Sequence, residues 1–177
     1  NEYAKRFGVK TGEALWQARQ KCPGLEIISA DYPLYMRYSN LARQIYRSYT
    51  PKVESFGLDE CWLDLSGRDM DFFEASRLAE ELHVRIIEEL GVTVSIGVSW
   101  NKIFAKLGSD MNKPDGTTVI TPDNYRQRVW PLPVGELLYV GPATKRKFQH
   151  AGIYTIGDLA VSSPDWLQER LGKVGLM

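Results

Sequence analysis

Two adjacent acids, Asp59 and Glu60, stand inside the run Glu54-Ser-Phe-Gly-Leu-Asp-Glu-Cys-Trp-Leu-Asp64. Apolar residues flank them on both sides, so they fall where two strand patterns meet. Along a strand, neighbours point to opposite faces, and only a tight turn brings such a pair onto one cation. Carboxylates suit a hard cation such as Mg²⁺, which takes one or two of them and completes its shell with waters and substrate phosphates. Two such ions about 4 Å apart activate an attacking hydroxyl and stabilise a leaving pyrophosphate. The metal charge then offsets the repulsion between the acids. Taken alone, the pair reads more readily as a polar turn, and its surroundings change that weighting. The next three residues, Cys61-Trp62-Leu63, belong in a core, and a turn made of Asp59 and Glu60 lacks the Gly, Asn or Pro of a purely structural hairpin. Asp64 is expected further down the strand, away from the cations.

A basic counterpart lies in Asn101-Lys-Ile-Phe-Ala-Lys-Leu-Gly-Ser-Asp-Met-Asn-Lys-Pro-Asp-Gly116. Asn101 is a helix N-cap type, and the helix must stop near Asn112, because residues before a proline avoid helical geometry. Lys113 therefore sits on a restrained loop, where its ammonium can neutralise a triphosphate as a point charge. The plain alternative makes Lys102, Lys106 and Lys113 one solvated face. A third segment, Leu138-Tyr-Val-Gly-Pro-Ala-Thr-Lys-Arg-Lys-Phe148 followed by Ala151-Gly152-Ile153, has the look of a helix-hairpin-helix. Gly141 would admit a phosphate close to the backbone, with the N–H groups of Ala143 and Thr144 and the charge of Lys145 beside it. Such contacts hold a duplex without reading its sequence. An ordinary pair of helices with a basic flank fits the same residues.

The elements that must position these groups follow from periodicity. Thr11 is a candidate N-cap for a helix over Glu13–Lys21, stopped by Pro23-Gly24. Leu25–Ser29 reads as a strand. Asp31–Tyr49 is a long helix, with Leu34, Tyr38, Leu41, Ile45 and Tyr49 on one face. Lys52–Leu58 and Cys61–Leu65 form a hairpin, Asp69–Leu90 a second long helix ended by Gly91, and Thr93–Ser99 a strand. Asn101–Asp110 is a helix and Thr117–Ile120 a last strand. From Asp31 to Ser99 the order is that of a split βαβ unit without its first strand. Either a strand preceding Asn1 or Leu25–Ser29 must fill that place. Trp130-Pro-Leu-Pro133 marks a linker, beyond which three or four short helices follow.

Composition excludes more than it assigns. The 177 residues carry 22 Lys and Arg against 22 Asp and Glu, so net charge announces no nucleic-acid partner. Two cysteines in no CxxC pair and two isolated histidines make no zinc site or disulfide framework, and a reducing cytoplasm is the expected compartment. No apolar run approaches the length of a membrane span.

Together these segments resemble the Y-family (translesion) DNA polymerases, the polymerase IV-like bacterial branch above all, over nearly the whole chain. The family's Ser-Ile-Asp-Glu-Ala-x-Leu-Asp signature stands here as Gly57-Leu58-Asp59-Glu60-Cys61-Trp62-Leu63-Asp64, and its Ser-Ile-Gly strand as Ser95-Ile96-Gly97-Val98-Ser99-Trp100-Asn101-Lys102. Its Ala-Lys-x-x-Ser-Asp-x-x-Lys-Pro-x-Gly stretch is Ala105–Gly116, and its thumb hairpin Val140-Gly141-Pro142. The resemblance implies an α+β chain: a ferredoxin-like palm (βαββαβ, first strand missing) over residues 25–121, partial fingers over 1–24, and an all-helical thumb with a helix-hairpin-helix over 122–177. It implies template-directed DNA synthesis on damaged templates with two Mg²⁺ ions. Asp59 and Glu60 would be catalytic metal ligands, Lys113 a triphosphate contact, and Gly141, Ala143, Thr144 and Lys145 a grip on primer–template DNA. Tyr3 and Lys5 are the candidates for the fingers' nucleotide contact, although the family's Tyr-x-Ala-Arg is shifted here to Tyr3-Ala4-Lys5-Arg6. A dNTP and a sliding clamp are the implied partners.

The family's first metal-binding aspartate would precede Asn1, so the 177-residue piece is expected to be inactive alone. Two other readings compete: a DNA-binding scaffold that has lost its chemistry, and a palm-type nucleotide cyclase. The intact Asp59, Glu60 and Lys113 oppose the first, and the helix-hairpin-helix opposes the second, since a cyclase holds no duplex.

Overall fold

The computed structural model describes residues 1–172. The chain divides into two compact units, Asn1–Met36 and Arg37 onward. The expected thumb stretch runs to 177, and its residues 173–177 lie outside the described ones.

In the first unit, α1 (Glu2–Arg6) is capped by the Asn1 side chain, which accepts from the Ala4 N–H at 2.9 Å. Helix α2 spans Leu15–Lys21. Its N-cap is Ala14 and not Thr11, because Glu13 is drawn away to accept from the Lys10 N–H and to pair with Lys21. The strand expected at Leu25–Ser29 is absent. Its residues have no ladder partner, and Ile28 is 86% exposed. Apolar composition alone makes no strand where no neighbouring edge is available.

Helix α3 (Tyr32–Tyr49) continues into the second unit. There β1 (Val53–Phe56) pairs antiparallel with β2 (Glu60–Leu63), with Val53 opposite Leu63 and Phe56 opposite Glu60. The register moves the turn earlier than its expected place at Asp59-Glu60, with Ser55 and not Leu58 opposite Cys61. Gly57, Leu58 and Asp59 form it, Glu60 opens β2, and Gly57 adopts φ +78°. The turn thus does contain the glycine that the expected pairing left out, at a backbone angle other side chains rarely adopt.

Helix α4 (Phe72–Leu90) is bounded as its ends dictate. Asp71 and Glu74 form a reciprocal capping box, and Gly91 closes the helix in the left-handed conformation. Ile45, Tyr49, Leu82 and Ile86 bury the α3–α4 seam, with Leu63 and Ile96 packed against it. Strand β3 (Ile96–Val98), helix α5 (Lys102–Met111) and strand β4 (Thr117–Val119) follow, and β3 runs parallel to β4 across the helix. The described strands thus form two separate pairs, and among the described residues no strand joins them into one sheet.

Gly97 decides how close α5 lies. A Cβ there would overlap the Ala105 carbonyl oxygen and come within 2.6 Å of the Ser109 nitrogen. Gly108 faces it, 3.3 Å from the Gly97 Cα when given a Cβ. Beyond β4 come α6 (Tyr125–Val129), a 3₁₀ turn (Val134–Glu136), α7 (Pro142–His150), α8 (Ile156–Ala160) and α9 (Pro164–Leu171). The first arm of the expected helix-hairpin-helix is therefore only that 3₁₀ turn. Pro133 precedes it in extended geometry, and Leu137 leaves it extended. Val134, Phe148 and Ile153 form the core beneath it.

Candidate active site

Helix α3 holds the turn that carries the acids. The Ser39 hydroxyl donates to the Leu58 carbonyl, and the Arg43 guanidinium donates to the Gly57 carbonyl at 2.9 Å. Two consecutive turn carbonyls are thus fixed, and Asp59 follows directly. Asp59 is exposed. It lies near Tyr46 of α3, whose hydroxyl pKa is raised, first by burial and then by the charges of Cys61 and Asp59.

Glu60 is half-buried, and strand alternation places it with Trp62 on the face opposite Cys61 and Leu63. Trp62 donates from its indole nitrogen to the Lys102 carbonyl at 3.1 Å, and the Lys102 ammonium sits 5.3 Å from the Trp62 ring centre while pairing with Glu54. This face of the hairpin therefore meets α5.

Lys106 is not part of a solvated face. Only 17% of its side chain is exposed, and its ammonium lies 3.2 Å from Glu60 and 2.6 Å from Asp110. The second oxygen of Asp110 takes Lys113 at 2.6 Å. Charges alternate in a chain from Glu60 through Lys106 and Asp110 to Lys113. Burial works to lower the Lys106 pKa, but the two carboxylates outweigh it and hold it above the ordinary lysine value. Burial likewise opposes ionisation of Asp110, and the two lysines overcome it, so its pKa falls below the usual value. Sequence reading passed over Asp110. The i,i+4 spacing from Lys106 and the i,i+3 spacing to Lys113 were the available signals.

The loop of Lys113 is pinned from several sides. The Asp115 carboxylate meets His83 of α4 at 2.6 Å, the Asp115 N–H donates to the Ser95 hydroxyl at 3.1 Å, and the Asn112 amide donates to Thr118 at 2.9 Å. Asp64 points elsewhere, as expected. Ser66 and then Lys52 bind its carboxyl and lower its pKa to about 2.

At the other expected site, Gly141 is the N-cap of α7, with Pro142 beginning the helix. A Cβ on Gly141 would meet nothing within 4 Å, so that approach is open. Ala143 and Thr144 form the first turn, where N–H groups lack intrahelical partners. The Lys145 stem lies across Gly135, where a Cβ would come 2.7 Å from its Cδ. A cleft of about 480 Å³ joins the two regions, lined by Lys106, Asp110 and residues 136–141. Tyr3 and Lys5 belong to the first unit. Tyr3 is 74% exposed under the Arg6 guanidinium, and Lys5 pairs with Glu2 at 2.7 Å.

Asp59 and Glu60 are hard oxygen donors at consecutive positions, the type a divalent cation takes. Among the described residues, no group of three or more His, Cys, Asp or Glu side chains gathers to complete a metal shell.

Residues 1–110 match the impB/mucB/samB family. The chain belongs to this family. It is 54% identical over 175 residues to the DNA polymerase IV of Acetivibrio thermocellus, covering 99% of this chain and 44% of that protein. It is 40% identical over 178 residues to the DNA polymerase IV of Ralstonia nicotianae, covering 99% and 49%. Among solved structures it is similar to DinB from Sulfolobus solfataricus, with a TM-score of 0.90 at 28% identity over 99% of this chain and 52% of that one. The insertion ternary complex of Dbh DNA polymerase matches with a TM-score of 0.91 at the same identity and coverage. The resemblance to Y-family polymerases read from the motifs is borne out, and the fold of this impB/mucB/samB chain is the mixed α/β fold of those polymerases. The chain spans about half the length of the curated relatives it matches.

Proposed function

We propose that the full protein is a DNA-directed DNA polymerase that extends a primer across damaged template by nucleotidyl transfer from dNTP to the primer 3′-hydroxyl. The observation that carries this reading is the ion-pair chain, which starts at Glu60, next to Asp59, and ends at Lys113, on a fold shared with Y-family polymerases. Asp59 and Glu60 would hold two Mg²⁺ ions, which would acidify the attacking hydroxyl and neutralise the departing pyrophosphate. Lys113 would turn from Asp110 to the triphosphate and fix its orientation. Tyr3 and Lys5 would meet the nucleotide from the fingers, residues 1–24. The palm would be residues 25–121, a ferredoxin-like sheet. The thumb, residues 122–177, would grip the DNA backbone through Gly141, Ala143, Thr144 and Lys145. With so few carboxylates the 177-residue segment alone would bind Mg²⁺ weakly and be inactive in primer extension, since affinity follows ligand count. A sliding clamp as partner and a cytoplasmic setting are carried over from the resemblance, and no described helix is long and apolar enough to cross a membrane.

The test is Mg²⁺-dependent primer extension by the full-length protein beside Asp59→Ala and Glu60→Ala. Loss of a metal ligand worth several kcal/mol predicts rates lower by about 10³-fold or more in both. Extension that survives both substitutions would mean other carboxylates hold the metals. A well-folded protein that binds DNA but never extends it would be the scaffold instead.

A further inference from the structure

Tyr139 adopts φ +71°. A bulky side chain in the left-handed region is an outlier in any fold, and such strain persists only where the surroundings enforce it. Here the residues at the two ends of the turn enforce it. Leu137 packs against the core of Leu107 and Ile120, while Val140 packs against that of Val134 and Phe148. The Val140 N–H closes the turn onto the Leu137 carbonyl at 3.0 Å. The ring itself gains little, being 65% exposed. Packing within the chain thus explains the backbone and leaves the side chain unexplained, since glycine would fill the turn without strain.

The ring stands at the edge of the cleft shared with Lys106, Asp110, Glu136 and Gly141. Asp110 is already matched by Lys106 and Lys113, and Lys145, Arg146 and Lys147 follow within α7. An exposed aromatic on a cleft that also holds a lysine and leads to the start of a basic helix is the chemistry that meets a nucleic-acid strand: cations take the phosphates, and the ring packs on a sugar or base face.

We propose that Tyr139 is a DNA-binding residue, its ring packing on the sugar–base face of the strand whose phosphate lies at the start of α7. The inference rests on the polymerase reading and adds a non-ionic contact to it. In the full-length protein, Tyr139→Gly relieves the turn and removes the ring, so the two effects have opposite signs. The melting temperature rises by about 2–4 °C, while the dissociation constant for primer–template DNA increases by about five-fold or more. Tyr139→Phe keeps the ring and binds within about two-fold of wild type. The slope of log affinity against log salt is unchanged in Tyr139→Gly and shrinks by about one in Lys145→Ala, because only lysine neutralises a phosphate. Unchanged DNA affinity in Tyr139→Gly overturns the inference, and so does weaker binding accompanied by a lower melting temperature, which would make the ring structural. A wild-type protein that fails to hold primer–template at all removes the polymerase reading and this inference with it.

Discussion

The two strand pairs of the second unit hold their charged groups by different means. In the β3–α5–β4 unit, helix and sheet touch backbone to backbone at Gly97 and Gly108, and the lysines inherit their places from that contact. The β1–β2 hairpin meets its neighbours through side chains, Trp62 and Glu60 toward α5 and Leu63 toward the α3–α4 seam. Its turn hangs from α3 by side-chain bonds to two carbonyls, and Asp59 inherits its place from Ser39 and Arg43. Close packing fixes the basic side, whereas polar anchors fix the acidic one. A site built this way has a stiff half and an adjustable half.

The largest effect should come from attacking the stiff half. Gly97→Ala forces a methyl into the α5 backbone, and nothing there is a flexible side-chain end that can yield. Overpacking against backbone predicts a loss above about 4 kcal/mol, read as a collapse of the urea midpoint. A near-normal midpoint would mean that α5 is free to shift, and the contrast with the hairpin would fail.

The adjustable half should respond more mildly and more selectively. Arg43→Ala removes a charged donor from the Gly57 carbonyl, which predicts about 1.5 kcal/mol of stability lost. Primer extension should fall roughly ten-fold through kcat, with Arg43→Lys recovering part of it. Equal losses of stability and activity in Gly97→Ala and Arg43→Ala would erase the distinction between the two halves.

Asp110→Asn tests the link between the halves. Lys106 is largely buried but keeps its pair with Glu60, so losing Asp110 should cost about 1 kcal/mol and lower the melting temperature by about 2–4 °C. The Michaelis constant for dNTP should rise about two- to ten-fold, as Lys113 loses the carboxylate that holds it. The smallest effect is the pH response of the same pairs. Asp110 has a depressed folded pKa, so its contribution is present above the usual carboxylate range and lost as pH falls through the depressed value. Lys106 has a raised one, so its contribution is present below the ordinary lysine value and lost as pH rises through the raised value. Urea midpoints should therefore show a plateau between these limits that is shallower in Asp110→Asn. An identical profile in the variant would assign the plateau to other groups.

Sequence reading reached furthest where local chemistry decides the outcome. Gly91 as the end of α4 and Asn101 as the cap of α5 follow from side chains bonding their own backbone, and both are observed, the latter with Asn101 accepting from the Phe104 N–H at 2.8 Å. It failed where the deciding partner is distant in the chain. Leu25–Ser29 looks like a strand until one asks what pairs with it. The turn was misplaced because the register, set by Val53 opposite Leu63, is a pairing between segments. Gly57 in the turn could have been read as the left-handed residue from its type alone. The left-handed backbone of Tyr139 carried no such signal, since tyrosine gives no hint of a positive φ.

The contact of Gly97 with Gly108 also bears on the order of events as the chain folds. Strand β3, helix α5 and strand β4 close on one another within residues 96–119. The α3–α4 seam needs partners some forty residues apart, as Ile45 and Ile86 are. Short closures lose less chain entropy before their contacts form. The lysine bed should therefore assemble first, offering a finished surface to a hairpin that docks afterwards.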